Sequence, residues 1–205
     1  MDFRDVLARR RMVRNYTNEP VDQEVVQRIA AAALRAPSAG FSQGLAIVVV
    51  TDPATRAEIA QSAGEAAYVA QGFDPWISQA PVHLVVCISE EAYHHRYRRP
   101  DKLEPDGTEI SWPVPYWWVD AGAGLMAILL AAVDEGLAAG FLGVHAIRDL
   151  KGLLGVPEQY AVVGVVTVGY PAPDRRSRSL DLGRRHLSEV VHWDHWTPRD
   201  PPGVL

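Results

Sequence analysis

The chain has 205 residues, of which 48% are hydrophobic and 22% are charged, a composition typical of a globular domain. Its formal net charge of −5 argues against a protein that binds nucleic acid by neutralising phosphates. The single cysteine, Cys87, excludes an internal disulfide and a cysteine-rich metal site. We therefore expect a single domain over residues 1–205, with no nucleic-acid partner.

The first residues lack the apolar core of a signal peptide. The longest apolar stretch without charges, residues 121–133, is too short to span a bilayer. We therefore expect a cytoplasmic protein that does not contact a membrane.

Helical patterns and strand-like runs alternate along the chain. Residues 2–11 are predicted to form a first helix. Asp22 is predicted to cap a second helix that runs to about residue 34. The unbroken aliphatic run Leu45–Val50 then predicts a buried strand.

A third helix and a second strand follow. Asp52 before Pro53 is typical of a helix start, and the apolar run Val82–Ile88 predicts another buried strand. Residues 89–115 break the pattern, because they carry several prolines and charges and no apolar period. We predict that they form a long connection that shapes a substrate pocket and acts as a lid.

The strongest helical pattern opens the second half of the chain. Residues 120–139, rich in Ala and Leu, predict a long helix that Gly140 terminates. A short helix over residues 148–154 and a third long strand over residues 160–170 follow. Beyond residue 171 the chain becomes polar and rich in arginine.

The predicted long helix is apolar on every side over residues 121–133, which is unusual for a surface helix. Its small residues Gly122, Ala123, Gly124 and Ala127 would allow another backbone to approach closely. Two interpretations stay open: a central helix buried within one chain, or a helix that packs against a second subunit.

Familiar catalytic motifs are absent or lack their structural context. A Gly-x-Gly-x-x-Ala motif begins at Gly122, but prolines rather than a strand precede it, so we reject a dinucleotide loop. His192, Asp194 and His195 lie in an aromatic tail without a helical histidine pair, so we predict no metal site. No serine lies in a nucleophile elbow. We therefore expect a bound cofactor to carry the chemistry.

Two segments remain as candidate cofactor sites. The arginine segment, residues 9–16, follows the first helix, and guanidinium groups suit the oxygens of a phosphate. The Pro-Ser turn, residues 36–43, precedes the first strand and has polar groups that suit the edge of a heterocycle. Taken singly, each also fits a plainer interpretation: a solvated arginine face and an ordinary helix-to-strand loop.

Together and in this order, the two segments resemble the nitroreductase family of flavoenzymes. That family opens with Arg-Arg-Ser-x-Arg-x-Phe/Tyr, then Pro-Val, a helix and Ala-Pro-Ser-x-x-Asn-x-Gln. The resemblance runs the full length of the chain and continues at Ala80-Pro81-Val82, Asp120-Ala121-Gly122-Ala123, Asp134-Glu135-Gly136-Leu137, Leu154-Gly155-Val156-Pro157, Val168-Gly169-Tyr170-Pro171 and Arg184-Arg185-x-Leu187-Ser188-Glu189.

The resemblance implies an α+β fold with a central mixed sheet flanked by helices. It also implies an intertwined homodimer with two FMN sites at the subunit interface, and NADPH or NADH as electron donor. It favours subunit contact for the long helix. We expect residues 171–205 to form a C-terminal extension that contacts the partner subunit.

The resemblance also assigns roles to single residues, although none of them is a catalytic side chain. A loop over residues 140–143, with Leu142 and Gly143, would present a backbone N–H near flavin N5, where negative charge accumulates on reduction. The residues implied to bind the FMN phosphate and ribityl chain are Arg10, Arg11, Met12, Arg14, Arg184 and Arg185. Those implied to contact the flavin, the first three from the partner subunit, are Pro37, Ser38, Ala39 and Gln43.

Three departures from the family pattern affect these roles. Met12 replaces the motif serine, which leaves only a main-chain contact. Phe41 replaces the motif asparagine, which removes a polar group and offers a stacking surface. Some members place Asn and Lys near the flavin pyrimidine edge, but residues 72–76 contain no lysine. Stabilisation of the negative charge at N1–C2=O is therefore open between an arginine and a helix N-terminus.

We therefore expect a ping-pong cycle in which NADH or NADPH reduces FMN and leaves. A nitroaromatic, quinone or related conjugated acceptor then takes the electrons. Four side chains are candidates for an aromatic wall of the substrate pocket: Phe41, Tyr116, Trp117 and Trp118. Simple packing in the core is an equal alternative for them. Other hypotheses are oxygen-using chemistry on the same fold (dehydrogenation, dehalogenation or flavin cleavage to a cobalamin ligand), a deazaflavin in place of FMN, and flavin storage without turnover.

Overall fold

The computed structural model describes residues 1–175 and 177–198, which fall into two units. The first unit, Met1–Asp174, holds the sheet and most of the helices. The second begins at Arg175 and contains a 3-10 helix, Arg178–Leu182, and a single α-helical turn, Leu187–Val190.

The first unit is built around a four-stranded sheet. Its strands are β1 (Leu45–Val50), β2 (Val82–Ile88), β3 (Ala138–Gly143) and β4 (Ala161–Gly169). They lie in the order β1-β2-β4-β3, and every neighbouring pair is antiparallel. The three predicted strands are confirmed, and β2 is buried throughout. The predicted burial of β1 needs correction, because this edge strand is half-buried and its Val49 is 45% exposed.

The prediction of a mixed sheet needs correction for the described strands. Their only parallel pairing is an isolated bridge between Met12, which lies outside the four strands, and Ala139 of β3. The other isolated bridge, between Tyr16 and Pro171, is antiparallel. The α+β class and the flanking helices are confirmed.

Strand β3 was not predicted, and the long helix ends earlier than its pattern indicates. The helix stops at Asp134, and Gly136 with φ +79° turns the chain into the strand. Residues 138–143, Ala-Ala-Gly-Phe-Leu-Gly, have little intrinsic β propensity and continue the small-residue pattern of the helix. The predicted loop over residues 140–143 is therefore wrong, since these residues are paired within a strand.

Helices cover both faces of the sheet. Asp22 and Asp52 cap the second and third helices by accepting bonds from Glu24 N (2.7 Å) and Thr55 N (2.8 Å), as predicted. In chain order the helices are α1 (Phe3–Arg9), α2 (Gln23–Ala32), α3 (Pro53–Ser62), α4 (Glu65–Val69), α5 (Trp76–Gln79), α6 (Glu90–Tyr97), α7 (Tyr116–Asp134) and α8 (Leu150–Leu153).

Two hydrophobic cores lie on opposite faces of the sheet, because successive strand residues point to opposite sides. On one face, Leu84 and Val86 pack with α2 and α7. On the other face, Val85 and Cys87 pack with α3 and α5. The cysteine is fully buried, and burial raises the pKa of its thiol.

Helix α7 has one buried face and one exposed apolar face. Ala121, Ile128 and Ala132 are buried, whereas Val119 and Met126 are 54% and 38% exposed. With 19 residues and a mean hydropathy of 1.5, the helix is long and apolar enough to cross a membrane by these two measures. Central helices of globular domains meet the same criteria, and α7 packs against α2 and the sheet.

The prediction that residues 89–115 form an irregular connection is wrong for the first third of this stretch, where α6 lies. Ser89 caps α6 by accepting a bond from Ala92 N. This helix is polar on most sides and buries only Tyr93, so it shows no apolar period in the sequence. The remaining part is tied to α6 through Glu109, which accepts bonds from Arg98 Nε (2.9 Å) and Trp112 Nε1 (2.8 Å).

Candidate functional site

The arginine segment lies along the free edge of β3. Val13 N donates to Ala139 O at 3.0 Å, and Tyr16, which is buried, hydrogen-bonds Thr167 Oγ1 at 2.8 Å. Gly140 makes this approach possible, because a Cβ there would lie 2.5 Å from Val13 O. The backbone of the segment is therefore fixed to the sheet on both sides of Arg14.

The guanidinium groups of this segment form no ion pair within the described part of the chain, although the Asp174 carboxylate accepts a bond from the backbone N–H of Arg14 at 2.8 Å. Arg10 and Arg11 have no carboxylate partner there, and Arg11 is exposed. The Arg14 guanidinium lies over the Trp76 ring, 5.9 Å from its centroid. Uncompensated, partly exposed guanidinium groups form a site that suits an anion with several oxygens.

Trp76 is held in place by a polar network around α5. The Glu65 carboxylate accepts bonds from Ile77 N at 2.6 Å and from Ser78 N at the start of this short helix. His83 Nε2 hydrogen-bonds Ile77 O at 2.7 Å, and burial lowers the pKa of His83 to about 4. The ring beneath Arg14 is therefore attached to a rigid element. The sequence had marked residues 72–76 only as a departure from the family pattern.

The Pro-Ser turn is held by α6 and α7. Ala39 N donates to Asp120 Oδ2 at 2.8 Å, and Gln43 N donates to Ser38 Oγ at 3.1 Å. Pro37, Phe41 and Gln43 are exposed, whereas Ser38 and Ala39 are half-buried. The backbone N–H groups of Ala39 and Gln43 are thus used within the chain.

The two segments lie at opposite corners of the sheet and do not meet within one chain. The arginine segment borders β3 at Ala139, whereas the Pro-Ser turn leads into β1 at Leu45, on the other edge strand. Three strand spacings separate these edges, a width of about 14 Å. One chain therefore does not combine its own arginine segment with its own Pro-Ser turn.

Leu142 and Gly143 lie in β3 rather than in a loop. Leu142 packs against the core beside β4. The carbonyl of Ala139 faces the arginine segment, so by the alternation of an antiparallel strand the N–H groups of Phe141 and Gly143 also face the free edge. The backbone donor that the resemblance placed in a loop is therefore available from a strand edge.

The predicted aromatic wall is divided by the structure. Trp117 is buried and packs against Tyr93 and Trp112, with ring centroids 6.1 and 5.7 Å away. Core packing therefore accounts for Trp117. Tyr116 and Trp118 are 46% and 44% exposed and stay available to a ligand or a partner.

The second unit contains the remaining predicted residues. Arg184 is exposed, and Arg185 donates to the Glu189 carbonyl at 2.8 Å. Their phosphate role stays a prediction. His192 stacks on Trp196 at 4.2 Å, and within the described residues no group of three or more histidine, cysteine or acidic side chains forms a metal site.

An apolar groove of about 770 Å³ lies along α2 and the free edge of β1. It contains no arginine, so it does not suit a phosphate, and Leu34 and Val49 at its rim are 74% and 45% exposed. Its lining residues include Val21, Val26, Leu34, Leu45, Ile47 and Val49.

Comparison with known proteins connects this geometry to one family. Residues 7–170 match the model of the nitroreductase family. An FMN reductase (NAD(P)H) of Bacillus subtilis is 30% identical over 95% of this chain and 74% of its own length. The solved structure of an NADPH:FMN oxidoreductase from Vibrio harveyi, complexed with NAD+, has a TM-score of 0.72 and 27% identity, and the match covers 98% of this chain and 80% of that chain. An iodotyrosine deiodinase of Haliscomenobacter hydrossis is 28% identical over 93% of this chain and 87% of its own length.

Proposed function

The chain belongs to the nitroreductase family, and we propose that it is an oxidoreductase that binds FMN and passes electrons from NADPH or NADH to small conjugated acceptors. The similar FMN reductase and NADPH:FMN oxidoreductase support this assignment by their names. The acceptors we propose are nitroaromatics, quinones and related conjugated carbonyl compounds.

The observation that carries the proposal is the arginine segment on the β3 edge, whose guanidinium groups form no ion pair with any described residue. Arg10, Arg11 and Arg14 offer several guanidinium donors on a backbone that is bonded to Ala139. These donors fit the phosphate of FMN, whose oxygens accept charge-assisted bonds. We assign Arg10 and Arg11 to the phosphate, and Arg14, held over Trp76, to the ribityl side.

The free edge of β3 fits the ring system of the same cofactor. Its outward N–H groups, at Phe141 and Gly143, are fixed by the pairing of β3 with β4. We assign the Gly143 N–H to flavin N5, because a fixed donor there stabilises the charge of the reduced ring. When bound, FMN supplies the two-electron exchange between nicotinamide and acceptor, which we assign to no side chain of this protein.

A second copy of the chain completes the proposed site. The Pro-Ser turn is too far from the arginine segment of its own chain, so Pro37, Ser38 and Ala39 would come from the partner in a homodimer. The exposed apolar face of α7 suits the central contact. The groove along α2 and β1 suits apolar side chains of a C-terminal extension from the other copy, whose Trp193 and Trp196 are 83% and 79% exposed.

The phosphate assignment is tested by comparing FMN with riboflavin, which lacks the phosphate. In the variant Arg10→Ala/Arg11→Ala we expect FMN to bind about 10-fold to 100-fold more weakly for each lost charged hydrogen bond. Riboflavin affinity should change little, since only the phosphate contacts are lost. Fluorescence quenching of each flavin on binding measures both affinities.

Arg148→Ala is the matched control, because Arg148 is an exposed arginine outside the proposed site. Equal FMN affinity in the double variant and the wild type would contradict the phosphate role. Equal losses for FMN and riboflavin would point to a damaged fold instead and would also contradict it.

A further inference from the structure

The Pro-Ser turn has a backbone that is unusual for its sequence. Gly40, Phe41 and Gln43 have φ angles of +60°, +58° and +51°. Glycine and asparagine tolerate this left-handed region, but a bulky aromatic residue adopts it only against steric resistance. Phe41 occupies the motif position at which the family pattern has asparagine.

Neighbouring elements impose this conformation from three directions. Arg96 Nε donates to Gly40 O at 2.9 Å, and the Tyr97 ring is so close that a Cβ on Gly40 would lie 2.6 Å from it. Asp120 Oδ2 accepts bonds from both Ala39 N at 2.8 Å and the Tyr93 hydroxyl at 2.7 Å. The turn is therefore over-determined by α6 and α7, as strained functional segments commonly are.

Among the described residues, the Phe41 ring finds little packing in return for this strained backbone. Phe41 is 75% exposed, although it precedes a buried strand and lies near an aromatic cluster. Tyr93, Trp112 and Trp117 of that cluster contact one another instead. An exposed ring alone would need no explanation, but here it stands on a strained and fixed backbone, a combination typical of functional segments.

We propose that Phe41 determines acceptor specificity at the flavin site of a second copy, where its ring stacks on planar aromatic acceptors. This inference rests on the proposed function, which supplies the second copy and the flavin site. Offset or edge-to-face contact with a flat ring stabilises a quinone or nitroaromatic, whereas a compact inorganic acceptor gains nothing from it. Asp120, Tyr93 and Arg96 act as positioning residues, since they hold the turn and not the acceptor.

The test compares two variants with different rings and backbone preferences. Phe41→Asn removes the ring and relieves the backbone, and Phe41→Tyr keeps a ring of the same shape. With menadione as acceptor, we expect kcat/KM of the FMN-loaded Phe41→Asn variant to fall about 3-fold to 10-fold, mainly through KM. The ratio of kcat/KM for menadione to kcat/KM for ferricyanide should fall by about the same factor, and Phe41→Tyr should keep the wild-type ratio, on the same stacking argument.

Three results would overturn the inference. The first is an unchanged kcat/KM for menadione in Phe41→Asn. The second is an equal fall in kcat/KM for menadione and for ferricyanide. The third is loss of the dimer by Phe41→Asn in sedimentation velocity, which would make Phe41 an interface residue. Failure of the proposed function is visible separately, because wild-type protein with FMN would then not be reduced by NADPH or NADH at all.

Discussion

At the scale of single residues, Gly140 shows how a missing side chain allows two segments to meet. A Cβ at this position would lie 2.5 Å from Val13 O and 3.1 Å from the Trp76 ring. Any larger residue would push the arginine segment away from β3, together with the guanidinium groups on either side of Val13 in the chain. The glycine therefore serves the candidate site through close approach of backbones, since its own φ needs no left-handed conformation.

His94 should make the stability of the protein depend on pH. Hydrogen bonding to Glu109 raises the pKa of His94 above its ordinary value of 6.5. The folded state then binds the proton more tightly than the unfolded state. Protonated His94, paired with Glu109, contributes its full stabilisation of the folded state below pH 6.5. This contribution is lost as pH rises through the raised pKa of His94. We expect His94→Gln to lower the urea midpoint more at pH 6 than at pH 9, as judged from these pKa values.

His95→Gln is the control for this measurement, because His95 is exposed on the same helix. It should change the midpoint little at either pH. A loss in His94→Gln that is the same at both pH values would show that the proton on His94 does not contribute.

At the scale of elements, Asp120 at the start of α7 links three parts of the fold. Its carboxylate accepts the bonds from the Pro-Ser turn and from Tyr93 of α6. Asp120→Ala would leave the buried Tyr93 hydroxyl without its acceptor, so we expect a loss of about 1–3 kcal/mol in unfolding free energy. Urea denaturation measures this loss.

A double variant separates the lost bond from a general effect on α7. Tyr93→Phe removes the hydroxyl, so Asp120→Ala/Tyr93→Phe should be more stable than the sum of the two single losses predicts. Strict additivity would contradict the coupling between Asp120 and Tyr93.

The strands that the sequence predicted are rich in aliphatic residues, and the strand and helix that it missed are not. β1, β2 and β4 consist mostly of aliphatic residues, many of them β-branched, so their strand conformation was readable from local composition. β3 consists mainly of Ala, Gly and Leu, which do not favour a strand over a helix, and α6 is polar on most of its surface. In both cases the tertiary partners determine the structure, and local propensity carries no signal for it.

The candidate site was predictable in part for the same reason. The arginine segment and the Pro-Ser turn carry motifs that local sequence can show. Trp76, Asp120 and Arg96 act through neighbours distant in sequence, so their contacts appear only in the fold. Trp117 was predicted to form an aromatic wall with Tyr116 and Trp118. It is buried because it lies on the side of α7 that faces the core, whereas its two neighbours lie on the exposed side.

At the scale of the whole molecule, the separation of the two segments predicts that cofactor binding and dimerisation depend on each other. Met126 lies on the exposed apolar face of α7. We expect Met126→Glu to shift the protein towards monomer in sedimentation velocity and to weaken FMN binding at the same time, because an unpaired charge is costly in an apolar interface. Tyr68→Glu, on the exposed part of α4, should change neither property.

A monomeric Met126→Glu variant that still binds FMN as tightly as the wild type would contradict the shared site. A variant that stays dimeric would show that α7 is not the contact surface, while leaving the cofactor assignment intact.

The visible spectrum of the purified protein, recorded before and after anaerobic addition of NADPH and of NADH, tests the central claim most directly. We expect the bands of oxidised flavin, either as purified or after addition of FMN, and their loss when the preferred nicotinamide is added. Bound flavin that neither donor reduces would indicate storage rather than turnover. A colourless protein that does not take up added FMN would contradict the account, because the arginine segment and the β3 edge would then have no flavin to hold.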